Sequence, residues 1–207
     1  MTKNIKDSHA VFTIILAWCL WFLIFRLPFL NFWLTLSIAV IILSSLALKW
    51  GAKPAKKEDF SLRALVIGGI GAGLLYAVFL LGKLLATSIF PFAAEQIAEI
   101  YSIRLHGEAW LIVLVLLFIT SPGEEIFWRA FLQKWAMKKF GRLKGFWLIS
   151  LLYAAVHLIS GSLMLVLAAL VAGLFWGLLY LWEENIVSLI ISHALWTVAV
   201  FVFYPML

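Results

Sequence analysis

The sequence predicts an all-α protein, a polytopic membrane helical bundle of about seven transmembrane helices that forms a single membrane domain over residues 1–207. Three observations predict this fold. Hydrophobic residues make up 65% of the chain and charged residues 13%, whereas a soluble domain is about half apolar and about a quarter charged. The mean hydropathy is +1.09. Apolar stretches of about 20 residues, the length that crosses a bilayer, recur along the chain.

Each predicted span is a mostly apolar stretch between polar or basic segments. The first is interpreted as a mature span and not as a signal peptide, because no small-residue cleavage site follows it. The predicted spans are residues 9–26, 29–48, 62–90, 108–133, 145–160, 163–181 and 186–204.

Lysine and arginine predict the orientation. Basic residues of cytoplasmic loops outnumber those of external loops in membrane proteins, and with seven spans the basic clusters here all fall on one side. The clusters are Lys3 and Lys6; Lys49, Lys53, Lys56 and Lys57; and Lys134, Lys138, Lys139, Arg142 and Lys144. We therefore predict a multi-pass protein of the cell membrane, with a cytoplasmic N-terminus and an external C-terminus.

Composition also limits the partners. The net charge is +6, but nucleic-acid binding needs basic residues interleaved with exposed aromatics, and the aromatics here lie inside the spans. We expect no nucleic acid and take membrane lipid as the surrounding partner. The connection 91–107 predicts a short amphipathic helix on the membrane or over the bundle. Glycine pairs at 69/73 and 173/177 have the G-x-x-x-G spacing of close helix contacts.

Charged residues in the fourth span suggest a site, since charges inside a membrane usually face the bundle interior. Glu125 and Arg129 are four residues apart and therefore share a helix face, where they can form an ion pair. Glu124 lies about 100° away around the helix. We expect Glu124 to face a cavity.

Two further spans carry histidines. The fifth holds Tyr153 and His157 on one face, and the seventh holds His193 and Thr197 on one face. From the predicted span ends and a rise of about 1.5 Å per residue, these histidines and Glu124 reach a similar depth in the cytoplasmic half. A carboxylate and an imidazole can activate water, and a second imidazole with a hydroxyl can stabilise an oxyanion. Convergence would therefore permit hydrolysis.

These three motifs resemble the CAAX protease and bacteriocin-processing (Abi) family of intramembrane proteases. Its pattern is E-E-x-x-x-R, then F-x-x-x-H, then H-x-x-x-N or a looser variant, on successive helices. Here EEIFWR begins at Glu124, YAAVH at Tyr153 and HALWT at His193. The resemblance covers about residues 108–204, and residues 1–107 carry no such pattern.

The resemblance implies an endopeptidase that hydrolyses a peptide bond of a membrane-associated peptide or protein. It implies a set of roles: Glu124 as general base, His157 positioning the water, His193 stabilising the oxyanion with support from Thr197, and Glu125, Arg129 and Tyr153 as structural support. Tyr153 stands where the family usually has Phe. Thr197 stands where the branch that processes prenylated proteins has Asn, which favours a bacterial member acting on another peptide.

Metal involvement is left open, with the metal-free scheme favoured. Zinc needs about three protein ligands, and Glu124, His157 and His193 would supply them. The H-E-x-x-H pattern is absent, and the metal-free scheme gives each of these residues its own task. We expect no cofactor, with zinc as the alternative.

Two other functions remain alternatives. One is a non-catalytic immunity or scaffold protein, with a membrane-protein partner, that retains the polar network for structure. The other is a coupled transporter, which the absence of an internal repeat disfavours. Serine and aspartyl intramembrane proteases are excluded, because G-x-S-x-G is absent and no span contains Asp.

Overall fold

A computed structural model describes residues 5–27, 29–53 and 55–206. Within that part of the chain every regular element is helical, and seven helices are long and apolar enough to cross a membrane. The predicted multi-pass helical bundle is confirmed. The helices are α1 (Asp7–Arg26), α2 (Phe32–Trp50), α3 (Leu62–Ile89), α4 (Ala93–Ser102), α5 (Ala109–Phe140), α6 (Arg142–Ser160), α7 (Leu163–Glu183) and α8 (Ile186–Phe203).

Side-chain caps begin four of the spanning helices. Each capping side chain accepts a hydrogen bond from a backbone N–H of the first turn, which would otherwise have no partner. Because an unsatisfied N–H is costly near lipid, these residues define where the spans start. The capping residues of α2, α3, α7 and α8 are Asn31, Ser61, Ser162 and Asn185.

The fourth span, α5, differs most from its prediction. It was expected to end at residue 133 but continues to Phe140, so Lys134, Lys138 and Lys139 lie on the helix and not in a loop. The helix is π-helical over Leu116–Thr120 and Ile126–Gln133. Such π-helical turns occur frequently at functional sites. Here they flank the α-helical turn that carries both glutamates.

The basic clusters meet at one end of the bundle. Asp7 at the start of α1 pairs with Lys139 over 2.5 Å, Arg63 on α3 pairs with Glu183 over 2.7 Å, and Arg142 pairs with Glu184 over 2.8 Å. These pairs bring together the start of α1, the start of α3, the α5–α6 junction and the end of α7. We call this the basic end, and we retain the prediction that it is cytoplasmic.

Glycines allow close helix contacts at one of the two predicted glycine pairs. A Cβ on Gly173 would lie 3.0 Å from Cδ1 of Tyr153, and one on Gly177 would lie 2.8 Å from Oγ of Ser150, so α6 and α7 pack backbone to side chain. The Gly69 and Gly73 positions have open space within 4 Å, so that predicted contact is wrong. The neighbouring Gly68 makes the close approach to α8 instead.

The predicted amphipathic helix forms as α4. Its apolar residues Ile97 and Ile100 line the main internal cavity, which shows that α4 lies over the bundle. Gln96 Oε1 accepts hydrogen bonds from Ser162 Oγ at 3.2 Å and from the Met164 backbone N–H at 3.1 Å. The start of α7 is therefore held beneath α4.

Candidate active site

The two adjacent glutamates have different surroundings. Glu125 is fully buried, and its Oε1 accepts hydrogen bonds from Arg129 Nη1 at 3.1 Å and from His193 Nδ1 at 2.8 Å. The expected ion pair between Glu125 and Arg129 is present. Glu125 also links α5 to α8 through His193, a contact that sequence spacing did not predict.

Aromatic rings enclose the Arg129 guanidinium. Its carbon lies 4.9 Å from the Tyr153 ring centroid and 5.6 Å from that of Trp176, within the range of cation–π attraction. Nη2 also donates to the Gly173 carbonyl at 3.4 Å. A buried charge is tolerated only when paired and hydrogen-bonded, and these contacts together meet that requirement.

His193 has a fixed orientation. Its ring stacks on Trp176 with centroids 3.8 Å apart and planes 16° apart. Because the Glu125 carboxylate accepts from Nδ1, that nitrogen carries a proton. Nε2 has no hydrogen-bond partner among the described residues, and His193 lines the main cavity.

Glu124 lines the same cavity. Its Oε2 accepts a hydrogen bond from the Tyr153 hydroxyl at 2.8 Å. In the described part of the chain, Oε1 has no such partner. The contact brings the first two motifs together, and it depends on the hydroxyl of Tyr153, which Phe would lack.

His157 begins the last turn of α6 and contacts α1. Its Nδ1 lies 2.8 Å from the Tyr153 carbonyl oxygen, which can only accept, so Nδ1 carries the proton. Its Nε2 accepts from Trp21 Nε1–H at 3.3 Å. His157 is therefore a neutral imidazole in this structure, with both nitrogens engaged.

Thr197 also lines the cavity. Its hydroxyl donates to the His193 carbonyl oxygen, one helical turn earlier, at 2.7 Å. The single hydroxyl proton is therefore directed at the backbone of α8. Any donation by Thr197 to a substrate requires rotation of this hydroxyl.

The cavity has a volume of about 470 Å³ and is mostly apolar. All eight helices contribute to its walls. The polar residues that line it include Glu124, Tyr153, His157, His193 and Thr197. All the predicted catalytic residues thus line one space, while Glu125 and Arg129 lie behind it.

The cavity lies farther from the basic end than the predicted span ends indicated. The cavity is lined by the halves of α3, α7 and α8 that lie away from the basic end. The difference comes from the boundary of α5, because a helix that continues to Phe140 places Glu124 near its midpoint. His157 lies close to the end of α6 that is remote from the basic residues.

The C-terminal segment closes part of the cavity. Met206 is buried and lines it. Tyr76 donates its hydroxyl to the Tyr204 carbonyl at 3.4 Å, and a hydrogen bond joins Tyr101 to the Met206 backbone. Burial raises the pKa of Tyr101, which lies on α4 outside the spans.

As arranged in this structure, the described side chains do not form a three-ligand zinc site. Three protein ligands are needed, but both nitrogens of His157 are already engaged. Only Glu124 and His193 keep a free ligand atom toward the cavity. Across the described residues, no group of three His, Cys, Asp or Glu side chains is arranged to hold a metal.

Sequence reasoning missed two residues that contact the site. Trp21 and Trp176 were grouped with the other tryptophans as interface anchors and packing residues, yet Trp21 donates to His157 and Trp176 stacks on His193. Their positions near the middle of predicted spans, away from the headgroup level where tryptophan is usual, were the available signal.

Comparison with known proteins agrees with the motifs. Residues 106–199 match the family described as Type II CAAX prenyl endopeptidase Rce1-like. No curated protein and no solved structure matches the chain. The matched segment contains all three motifs and the contacts that join them. The resemblance to the CAAX protease family is confirmed, since residues 106–199 of this membrane protein match the model of that family.

Proposed function

We propose that this chain is an intramembrane endopeptidase that hydrolyses a peptide bond of a membrane-associated peptide or protein, with water activated by Glu124. One observation carries the proposal: a carboxylate and two imidazoles from three spans line one cavity whose lining is mostly apolar. An apolar cavity favours a membrane-embedded segment as substrate, and the polar residues supply the groups for hydrolysis.

Glu124 is the proposed general base. Tyr153 holds one carboxylate oxygen at 2.8 Å, which leaves the other to accept a proton from water. The water oxygen then bonds to the scissile carbonyl carbon, and the carbonyl oxygen becomes negatively charged. Return of the proton from Glu124 to the nitrogen allows the C–N bond to break, which yields a carboxylate and an amine.

His193 is the proposed oxyanion donor. Its Nδ1–H is held by Glu125 at 2.8 Å, so the protonated ring would present Nε2–H to the cavity. The Glu125 carboxylate stabilises that protonated form, and stacking on Trp176 fixes its direction. Preorganised donors of this type are usually a large part of catalysis.

His157 and Thr197 have supporting roles in this proposal. His157 would position the water through Nε2, in exchange for its contact with Trp21. Thr197 would hold the α8 turn that carries His193, since its hydroxyl donates to that turn at 2.7 Å. The scheme assigns no step to a metal ion.

A non-catalytic scaffold would require a different arrangement of the polar residues at this site. A purely structural network should be paired throughout, yet among the described residues Glu125 Oε2 is buried without a hydrogen-bond partner. Glu124 also lines an open cavity with one oxygen unpartnered by the described residues, which favours the enzyme.

The test is a peptide-release assay in detergent or vesicles, with wild type compared with Glu124→Gln. The amide keeps the size and the contact with Tyr153 but cannot take a proton. Activity should fall by about 10²–10⁴-fold, as is typical for acid–base groups, while the melting temperature changes little. Near-normal hydrolysis by the folded variant would disprove the assignment.

A further inference from the structure

A second cavity, of about 270 Å³, lies at the basic end of the bundle. Its walls come from the linker between α2 and α3, from α5, and from the junction of α7 with α8. Its residues are separate from those proposed for hydrolysis. Basic pockets between helices at this level of a membrane protein bind anionic lipid headgroups in other proteins.

Three lysines line this cavity: Lys53 and Lys56 from the linker and Lys134 from α5. Among the described residues, none of the three has a carboxylate within ion-pair distance. Like charges that face one small space repel each other unless an anion lies between them. The cavity therefore has the charge of an anion site.

Two acidic residues also line the cavity, but each is engaged by another group. Asp59 Oδ2 accepts from the Lys56 backbone N–H at 2.8 Å. Glu184 Oε1 pairs with Arg142 Nη1 at 2.8 Å. Their charges reduce the excess of positive charge without pairing directly with the three lysines.

Tyr180 gives an independent indication of a ligand. Its side chain lines the cavity and is only 7% exposed. Its hydroxyl has no hydrogen-bond partner among the described residues and is not one of the fully enclosed atoms, so it is open to a ligand in the cavity. A hydroxyl without a partner beside three unpaired ammonium groups is suited to an acceptor with several oxygens.

We infer that this cavity binds a phosphate group, with Lys53, Lys56 and Lys134 supplying charge and Tyr180 a hydrogen bond. The donors come from three separate segments, so the ligand must offer several acceptor oxygens in different directions, as phosphate does. The phosphate belongs either to the headgroup of an anionic phospholipid or to a free phosphate ion.

The experiment uses the full chain in nanodiscs of phosphatidylcholine with a small fraction of phosphatidylglycerol. Native mass spectrometry counts the phosphatidylglycerol that remains bound. We expect Lys56→Gln and Lys134→Gln each to weaken retention about fivefold, from the contribution of one lysine near an anionic surface. Tyr180→Phe should weaken it without changing the charge.

Matched controls distinguish binding at this cavity from attraction of the lipid by general surface charge. Lys57→Gln removes the same charge one residue away from Lys56, outside the cavity, and should leave retention unchanged. Lys134→Arg keeps the charge and should retain binding, which excludes misfolding as the cause of a loss in Lys134→Gln. Inorganic phosphate is then added to discs of phosphatidylcholine alone and to the mixed discs.

Two outcomes support the inference and identify the source. Retained phosphatidylglycerol that inorganic phosphate does not displace indicates a lipid headgroup. Thermal stabilisation by inorganic phosphate, together with displacement of the lipid, indicates a free ion. The inference is overturned if neither binds, or if Lys57→Gln weakens retention as much as Lys134→Gln while Tyr180→Phe has no effect. Peptide hydrolysis is not the readout, so either result is independent of the proposed function.

Discussion

His193 donates its Nδ1 hydrogen to Oε1 of Glu125 over 2.8 Å and so joins two motifs 68 residues apart in the sequence. The same oxygen accepts from Arg129. One buried carboxylate therefore holds a cation on its own helix and an imidazole on another. Pairs of adjacent glutamates can divide their tasks in this way, with one oriented inward for structure and the other toward the cavity.

This contact predicts coupled effects on activity. Glu125→Gln keeps the side-chain size but removes the charge that stabilises protonated His193. We expect kcat to fall about 10²-fold, near the cost of losing one oxyanion donor, with KM little changed. The double variant Glu125→Gln/His193→Gln should be no less active than the less active of the two single variants. The reason is that the effects of residues that act as a unit are not additive. Multiplicative losses in steady-state kinetics would contradict the coupling.

Arg129 should be needed for folding. Arg129→Ala removes the partner of a fully buried carboxylate, which costs about 3–5 kcal/mol, and we expect poor expression or a lowered melting temperature. The control is Arg63→Ala, because that pair with Glu183 has an arginine side chain 70% exposed and exposed pairs contribute about 0–1 kcal/mol. Equal melting temperatures for the two variants would show that the buried pair is not structural.

Gly173 should tolerate no side chain without loss of activity. The Cβ of Gly173→Ala would lie 3.0 Å from Tyr153 Cδ1 and 3.3 Å from the Ser150 carbonyl, so the Tyr153 ring, whose hydroxyl donates to Glu124, must shift. Overpacking of this kind costs about 1–3 kcal/mol. Gly73→Ala has open space around it and should change stability by less than about 0.5 kcal/mol. Thermal melts and peptide release measured on both variants test this difference.

The docking of α4 should weaken at high pH. Burial raises the pKa of Tyr101 above its ordinary value, so the folded state favours the neutral phenol. This contribution is fully present below about pH 10, the ordinary pKa of tyrosine, and is lost as pH rises through the folded pKa. Melting temperatures of wild type should fall more steeply over this range than those of Tyr101→Phe, and ultraviolet titration should show one more late tyrosine in wild type than in Tyr101→Phe. Identical melting curves for the two proteins would refute this role of Tyr101.

Hydrolysis should not depend on zinc. With both nitrogens of His157 engaged, the cavity offers too few free ligands for a tetrahedral site. Purified active protein should contain well under one equivalent of zinc by elemental analysis and should remain active after prolonged chelation. Stoichiometric zinc, with activity lost on chelation and restored by the metal, would reverse the assignment.

The sequence by itself determined the class of fold, the seven spans and the family. These features depend on composition and on local spacing. An apolar stretch of about 20 residues has few alternatives to a spanning helix, and residues four apart meet on any helix, as Glu125 and Arg129 do. Span ends were less well predicted: lysines on α5 resemble a loop in sequence, although their long side chains reach the interface from a helix.

Only the tertiary structure decided which residues of different helices contact each other. The link from Glu125 to His193, the donation from Trp21 to His157 and the stacking of Trp176 join residues far apart in the sequence, and helix rotation and tilt set them. The same holds for the end of the bundle toward which the cavity lies and for the glycines that make contact. Spacing places residues on a face, but packing between helices determines which face is buried and against which partner.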